Sequence, residues 1–331
     1  MRFNDMRPNV LFLTICMALL ISGCTGHILS GSRTSEVLRT DRFVVVKASA
    51  GDTLESLAAT YLKDKDRAWQ IAAFNEIRAL TPGQRVLIPM IPVTPGGLQK
   101  NGYQTVPVLR YSDMAENPSR SRTVSARTFQ RQLDYLKANG YVTITLDHFH
   151  GFLELKDQLP PKAIVISIDT TGAWAREIAF PELQKRGMRA ALFIDPQEVD
   201  VKGKLTWQQL AELADSGWDI GLYGPEIKAP AGDDARAYLD RLEAGIAGPQ
   251  KAFQRHLKRS CSYYAYPEGD SNDLTIAMLK KHGYNAAFTR KRGSNPFFAD
   301  NYKIKRSTVF GQYSLSRFQQ NLTTFRSVAL Q

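Results

Sequence analysis

The run Phe43-Val44-Val45-Val46 is β-branched and uninterrupted, as in a strand. After Gly51-Asp52-Thr53, apolar residues recur at helical spacing at Leu54, Leu57, Ala58 and Tyr61, so Asp52 or Thr53 caps a helix. Asp66 reads as the cap of a second helix carrying Trp69, Ile71, Ala72 and Ala73 and ending at Asn75. Thr81-Pro82-Gly83-Gln84 is turn chemistry, and Val86-Leu87-Ile88-Pro89 is a second strand. The pattern predicts a small β-α-α-β domain over 42–90, followed by a Pro/Gly-rich linker over 91–104. From Val106 the pattern changes. Apolar strands at 106–111, 142–146, 163–168, 190–194, 219–222, 263–266 and 286–289 alternate with helical segments. Those helices lie between Ser125 and Gly140 and over 180–186, 207–214, 235–246 and 274–281. Runs such as Ala163-Ile164-Val165-Ile166 show no polar alternation, which predicts strands buried on both faces in a parallel α/β barrel or sheet.

The first 24 residues read as an address. Arg2 and Arg7 precede an apolar stretch over 10–21, short for a membrane span but suited to a signal peptide. It ends in Leu20-Ile21-Ser22-Gly23-Cys24, which resembles a bacterial lipobox. The resemblance implies cleavage before Cys24, acylation of that residue and attachment to a membrane through several acyl chains. Thr25 in place of Asp implies the periplasmic face of the outer membrane, with residues 25–41 as a tether. With Cys16 lost and Cys24 acylated, Cys261 remains alone, a small buried hydrophobe without a disulfide partner. The formal charge of +11 is uneven, since residues 250–331 hold 14 Lys/Arg against 4 Asp/Glu. Such a basic third is either a well-solvated surface or a region suited to lipid head groups or acidic glycans. An Arg-rich arm or aromatic nucleic-acid motif is missing, which excludes a nucleic-acid role.

Three separated pieces of the small domain resemble a complete LysM module. They are Val46-Lys47-Ala48-Ser49-Ala50-Gly51-Asp52-Thr53-Leu54, Ile71-Ala72-Ala73-Phe74-Asn75 and Pro82-Gly83-Gln84-Arg85-Val86-Leu87-Ile88-Pro89. The resemblance implies binding of N-acetylglucosamine chains, as in peptidoglycan, in a groove between the loops over 48–53 and 77–83. Gly51, Asp52, Thr53, Asn75, Pro82 and Gly83 are its candidate residues, and each is also readable as a turn or cap residue.

The larger part resembles the NodB polysaccharide deacetylase domain. The matching stretches include Val106-Pro107-Val108-Leu109-x-Tyr111, Phe129-x-x-Gln132-Leu133, Leu205-Thr206-Trp207-x-Gln209-Leu210, Ala265-Tyr266-Pro267-x-Gly269 and Gly283-Tyr284-x-Ala286-Ala287-Phe288-Thr289. Ile304-Lys305-Arg306 and Ser314-Leu315 are similar to the branch acting on β-1,6-linked N-acetylglucosamine exopolysaccharides. The resemblance implies a distorted (β/α) barrel over 105–331 and metal-dependent removal of acetyl groups from N-acetylglucosamine. That chemistry uses an Asp and two His as ligands, a second Asp as base and a late His as acid. In Ile168-Asp169-Thr170-Thr171-Gly172, Asp169 falls on the base position and Thr170 replaces the ligand carboxylate. Tyr223 and Ile227 replace the two His, and the chain has no His after His282.

His148-x-His150 reads as loop surface, and a hard cation on Asp169, Glu226 and Thr170 is an alternative donor set. The expectation is a barrel without a metal or other cofactor, whose mouth carries Tyr111, Trp174, Trp218, Tyr223 and Tyr266 for stacking on sugar rings. Asp169, Thr170 and Asn272 would bond hydroxyls, while Trp218 and Tyr266 are equally readable as core. The function expected is a membrane-anchored protein that binds peptidoglycan or an N-acetylglucosamine polysaccharide and assists exopolysaccharide secretion proteins. Two alternatives stay open: an active de-N-acetylase with an unorthodox site, and a peptidoglycan-tethered scaffold of a secretion complex.

Overall fold

The computed structural model describes residues 35–90, 95–99, 101–224 and 234–328, which divide into two compact units at Ile88/Pro89. In the first unit, β1 (Ser35–Arg39), β2 (Phe43–Lys47) and β3 (Arg85–Pro89) form one sheet in that order. Two helices, α1 (Leu54–Leu57, continuing as a π turn to Leu62) and α2 (Ala68–Asn75), lie between β2 and β3 in the chain. Val44, Val46, Leu57, Ile71, Val86 and Ile88 form the buried core. Of the two candidate caps, Thr53 is the one used. Its hydroxyl accepts from the Ser56 N–H, and the Ser56 hydroxyl accepts from the Thr53 N–H. Asp52 closes the preceding turn by accepting from the Ser49 N–H at 2.6 Å.

Two expectations for this unit are corrected. The end of the expected tether is strand β1, whose backbone pairs antiparallel with β2 although its side chains are exposed. The N-cap position of helix α2 falls on Arg67 and not on Asp66. A 3₁₀ turn over Lys65–Arg67 leads into it and puts Arg67 at the N-cap without a side-chain cap.

The second unit opens with β4 (Leu98–Gln99) and β5 (Gly102–Tyr111), so the expected linker over 91–104 already contributes strands. There follow β6 (Met114–Ala115), β7 (Val124–Ser125), α3 (Ala126–Ala138), β8 (Val142–Thr143), α4 (Leu146–Leu153), β9 (Ala163–Asp169) and α5 (Phe180–Gln184). Next come β10 (Ala191–Ile194), α6 (Trp207–Asp215), β11 (Asp219–Tyr223), α7 (Ala235–Leu257), β12 (Tyr263–Ala265), α8 (Asp273–Lys281) and β13 (Ala286–Phe288). The chain ends with β14 (Ser294–Pro296), β15 (Ser307–Thr308), α9 (Leu315–Gln319) and β16 (Phe325–Ser327).

Strands β13-β12-β11-β10-β9-β5 lie side by side and run parallel. The segment from Ile304 to Thr308 joins the two ends of this curled sheet. Ile304 bridges to Phe288 of β13, and β15 pairs in parallel with β5. The result is the distorted α/β barrel expected from the sequence.

Because side chains alternate along a strand, each strand feeds two cores. Ile164, Ile166, Ile168, Leu192, Ile194, Leu222, Tyr264 and Tyr266 join the cluster that includes helix residues Leu133, Leu136, Leu183, Leu210 and Leu279. Val106, Val108, Ala163, Val165, Phe193, Ala265 and Phe288 face the other way and pack with Phe149 and Phe152 of α4. This two-sided burial is why the strands lack polar alternation.

The expected strand over 142–146 is only β8. Thr145 then caps α4, because Leu146, Phe149, Phe152 and Leu153 at helical spacing fill the interior cluster. His148 and His150 are therefore helix residues, not loop residues. Helix α7 continues past 246 and through Pro249 to Leu257, held by buried Leu242, Ile246, Phe253 and Leu257. Cys261 is free and buried, and burial pushes its thiol up to about 12. Among the described residues, no helix is long and apolar enough to cross a membrane.

Asp219, at the start of β11, is the clearest electrostatic cost in this frame. Burial raises its carboxyl to about 6, against the Leu146 N–H that donates to it at 2.8 Å. A carboxyl raised on folding contributes stability that is complete below its unfolded value and lost as pH climbs through 6. Asp219→Asn keeps an acceptor for Leu146 and is expected to stabilise the protein at pH 7 by about 1–3 kcal/mol. At about pH 3.5, below the unfolded Asp value, it should have no effect. Thermal melts of both proteins across this range check it, and a lower melting temperature for the variant at neutral pH would refute it.

Candidate functional site

The parallel strands end on one side of the barrel, where α/β folds place their ligands. There a cleft of about 540 Å³ opens, lined by Arg110 from β5, Asp169 from β9, Phe193 and Asp195 from β10 and its end, and Tyr223 from β11. Arg290, just past β13, and Thr308 of β15 complete that wall. Asp169 lies on the inward face of β9, in step with Ser167 and Val165. It is held on both oxygens: Arg110 Nε donates to Oδ2 at 2.5 Å, and Arg306 Nη1 donates to Oδ1 at 2.6 Å. The Arg306 side chain is completely buried, donates through Nε to the Thr289 carbonyl at 2.9 Å, and lies over the rings of Phe193 and Phe288. Burial alone would raise the Asp169 carboxyl, but Arg306 and Arg110 outweigh it and hold the carboxyl below its ordinary value.

Thr170 and Tyr223 are also engaged. The Thr170 hydroxyl accepts from the Gly172 N–H at 2.9 Å and shapes the turn after β9. Tyr223 donates its hydroxyl to the Pro267 carbonyl at 2.9 Å and accepts from Arg290 Nη2 at 3.0 Å. Arg290 also pairs with Glu268 at 3.2 Å. Glu226 and Ile227 lie outside the described residues. Among those described, no group of three or more His, Cys, Asp or Glu is placed to hold a metal ion.

Of the expected aromatic residues only Tyr223 lines the cleft. Trp218 is 2% exposed and packs edge-on to Phe180, while Tyr266 is fully buried and donates to the Tyr302 carbonyl. Both belong to the helix-side core, which corrects their assignment to the mouth. Tyr111 is likewise buried, with its hydroxyl on Gln132, and Trp174 packs half-buried against the same core. Asn272 caps α8 by accepting from the Thr275 N–H. The residues that sequence reasoning missed are Arg110, Arg122, Asp195, Glu198, Arg290, Arg306 and Phe310.

In the small domain the two expected loops are zipped together. Gly83 N–H donates to the Ala48 carbonyl at 2.7 Å, and Ala48 N–H donates to the Gln84 carbonyl at 2.8 Å. Gly83 has φ +85° after Pro82, the conformation a type II turn requires of its third residue. Gly51, at φ +90°, leaves open space where a Cβ would stand. Asn75 is a staple and not a free ligand: its side chain donates to the carbonyls of Ile71 and Leu87 and accepts from the Leu87 N–H. Thr53 is similarly spent on its helix cap.

Residues 46–89 match the LysM domain family, and residues 156–287 match the polysaccharide deacetylase family. The chain carries a LysM domain and a polysaccharide deacetylase domain. YxkH of Bacillus subtilis is 24% identical over 213 residues, covering 64% of this chain and 74% of that protein. A poly-β-1,6-N-acetyl-D-glucosamine N-deacetylase of Staphylococcus aureus is 23% identical over 197 residues, covering 56% and 68%. The deacetylase PplD of Streptococcus pyogenes superposes with a TM-score of 0.60 at 17% identity, over 66% of this chain and 98% of that one. IcaB of Ammonifex degensii gives 0.58 at 24% identity, over 68% and 98%. These structures share the fold of the deacetylase domain.

Within that domain the Arg110–Asp169–Arg306 triad is a buried charge group in which one carboxylate serves two guanidinium groups, and removing the carboxylate strands both cations. Asp169→Asn is expected to destabilise the protein by about 3–5 kcal/mol at neutral pH. The contribution of a lowered carboxyl is complete above its unfolded value near pH 4 and lost as pH falls through the folded value. The acid limb of the stability curve should therefore flatten in the variant. Urea titrations from neutral to acidic pH measure both, and an Asn variant as stable as the parent would show that the triad is not holding the barrel closed.

Proposed function

We propose that this chain is a carbohydrate-binding protein of the cell envelope whose deacetylase domain recognises a glycan without hydrolysing it. The observation that carries the reading is the state of Asp169. A general base needs a free lone pair facing a water and a proton affinity near the working pH. Asp169 accepts a guanidinium bond on each oxygen, which orients it towards the two arginines and lowers its affinity for protons. The hydroxyls of Thr170 and Tyr223 are likewise committed to hydrogen bonds, and the cation beside Tyr223 is Arg290. A divalent ion brought to this wall would face Arg110 and Arg290 with no free carboxylate from β9. Amide hydrolysis then lacks a metal-activated water.

The cleft that remains is polar and charged, with Asp113, Asp195, Glu198, Arg110, Arg122 and Arg290 on its walls, and Tyr223 and Phe310 supply aromatic surface. The names of the staphylococcal relatives and the LysM match both favour an N-acetylglucosamine polymer, either peptidoglycan or a β-1,6-linked exopolysaccharide. Two sites on one chain raise avidity through effective concentration. In this reading the protein assists exopolysaccharide export or retention, alongside secretion proteins, from a lipid anchor at Cys24 on the periplasmic face of the outer membrane.

Titration of the purified protein with N-acetylglucosamine oligomers tests the reading directly. Amide signals in the Ala48–Thr53 and Ile77–Gly83 loops are expected to shift while no acetate is released. The protein is expected to contain no stoichiometric zinc, cobalt or nickel, and chelators should leave its melting temperature unchanged. Stoichiometric metal together with acetate release that Asp169→Asn abolishes would make it a working deacetylase instead.

The anchor is tested separately. Cys24→Ser should remove the acyl mass and shift the protein from the membrane to the soluble fraction. An unchanged mass with unchanged fractionation would refute lipidation.

A further inference from the structure

Strand β5 carries a second cleft near its other end. Tyr103 and Arg110 are seven residues apart, which is about 23 Å along an extended strand, so this cleft is distinct from the one at Asp169. Its volume is about 350 Å³. Leu98 of β4, Tyr103 of β5 and Arg326 of β16 are cross-strand partners in register, so their side chains share one face of the sheet. Phe298 stands edge-on to Tyr103 with ring centroids 5.2 Å apart and is 60% exposed.

Three cations line this cleft, Arg292, Lys305 and Arg326, and no Asp or Glu does. All three are exposed, and none makes an ion pair among the described residues. Arg292 is aimed by a neutral partner, donating from Nε to Asn321 Oδ1 at 2.8 Å. Ser294, Gln320 and Thr323 add hydroxyl and amide groups to the lining.

Three unpaired cations around one concavity repel each other and concentrate anions. Two of them are guanidinium groups, whose planar forks match a carboxylate. The half-open aromatic pair supplies a flat apolar wall of the kind a pyranose ring covers, and the neutral polar groups suit ring hydroxyls. A concave, hydroxyl- and amide-lined cleft fits a sugar unit better than the flat plane of a bilayer.

We propose that this cleft binds an acidic sugar residue, a uronate within a polysaccharide, held by its carboxylate on Arg292, Lys305 and Arg326 and by its ring face against Phe298 and Tyr103. The protein would then hold two chemically different glycans, and this site is independent of whether the Asp169 cleft is catalytic. It also gives the basic C-terminal third a partner.

Calorimetric titration of the full chain with trigalacturonate and, separately, tri-N-acetylglucosamine tests it. Trigalacturonate should bind at low salt and more weakly at about 0.15 M, where exposed charges are screened. Lys305→Gln with Arg326→Gln should weaken trigalacturonate by about tenfold or more, as expected for losing charged hydrogen bonds. Phe298→Ala should also weaken it, which simple ion exchange would not predict. Tri-N-acetylglucosamine binding should be unchanged in every variant, and unaltered melting temperatures would show that these exposed positions leave the fold intact. The proposal fails if trigalacturonate does not bind, or if its affinity ignores these substitutions. It also fails if the same substitutions abolish binding to phosphatidylcholine–phosphatidylglycerol vesicles while no sugar binds, which would assign the cleft to a membrane.

Discussion

The deacetylase domain depends on one carboxylate shared by two buried guanidinium groups. Asp169 ends the central strand β9, Arg110 comes from its neighbour β5, and Arg306 comes from the short segment that joins β13 to β5. Arg306 adds a buried ionic tie to a segment that is also held by the backbone pairing of Ile304 and β15 and by the Asn295 side chain on Lys305. Without Asp169, two cations would lie unpaired in an apolar interior, at a cost of several kcal/mol. The triad therefore ties the closing segment to the sheet, and two of its members, Arg110 and Asp169, line the cleft. Closure and site chemistry are one interaction seen from two sides.

Side-chain parity explains much of the remaining arrangement. On β5, β9, β10, β11 and β12 one set of alternate residues meets the helices and the other meets the barrel interior. Arg110, Ser167, Asp169 and Tyr223 have interior parity, whereas Tyr111, Tyr264 and Tyr266 have helix-side parity. Aromatic residues at the strand ends therefore have different fates. Tyr223 reaches the cleft, and Tyr266, although it lies in a motif loop, is a core residue.

The fold was legible because burial on both faces writes long apolar runs with clear ends, as in Ala163-Ile164-Val165-Ile166 and Ala286-Ala287-Phe288. The LysM loops were legible through Pro82, Gly83 and Gly51, residues whose backbone conformations restrict the choice. The short helix α4 was missed because Val142 and Ile144 suggested a strand continuing through Leu146, whereas Thr145 is a cap and the apolar spacing changes there. The charge triad was missed for a different reason. Arg110 directly follows the apolar run Val106-Pro107-Val108-Leu109 on the same buried strand, where a cation implies a buried carboxylate across the sheet. That implication was available from the sequence, as was the interior parity of Asp169. Pairing with Arg306 was not, since the two residues are 137 apart and nothing local in the sequence links them.

The triad also sets the charge beside Thr170 and Tyr223. A divalent ion beside a paired set of carboxylate and imidazole ligands supplies local positive charge that holds the base ionised. At Asp169 the positive charge that keeps a buried carboxylate ionised comes from the protein itself. Arg110 and Arg306 supply it from within the sheet, and Arg290 occupies the space beside Tyr223. Each replacement is then locked by its own hydrogen bond: Thr170 to the Gly172 N–H, Tyr223 to Pro267 and Arg290. Thr170→Asp or Tyr223→His would break such a bond, and the Asp would add a second anion next to Asp169. The bonds of Thr170 and Tyr223 do not involve the Asp169 carboxylate, so the charge of the triad and the shape of the cleft wall beside it are set by separate interactions.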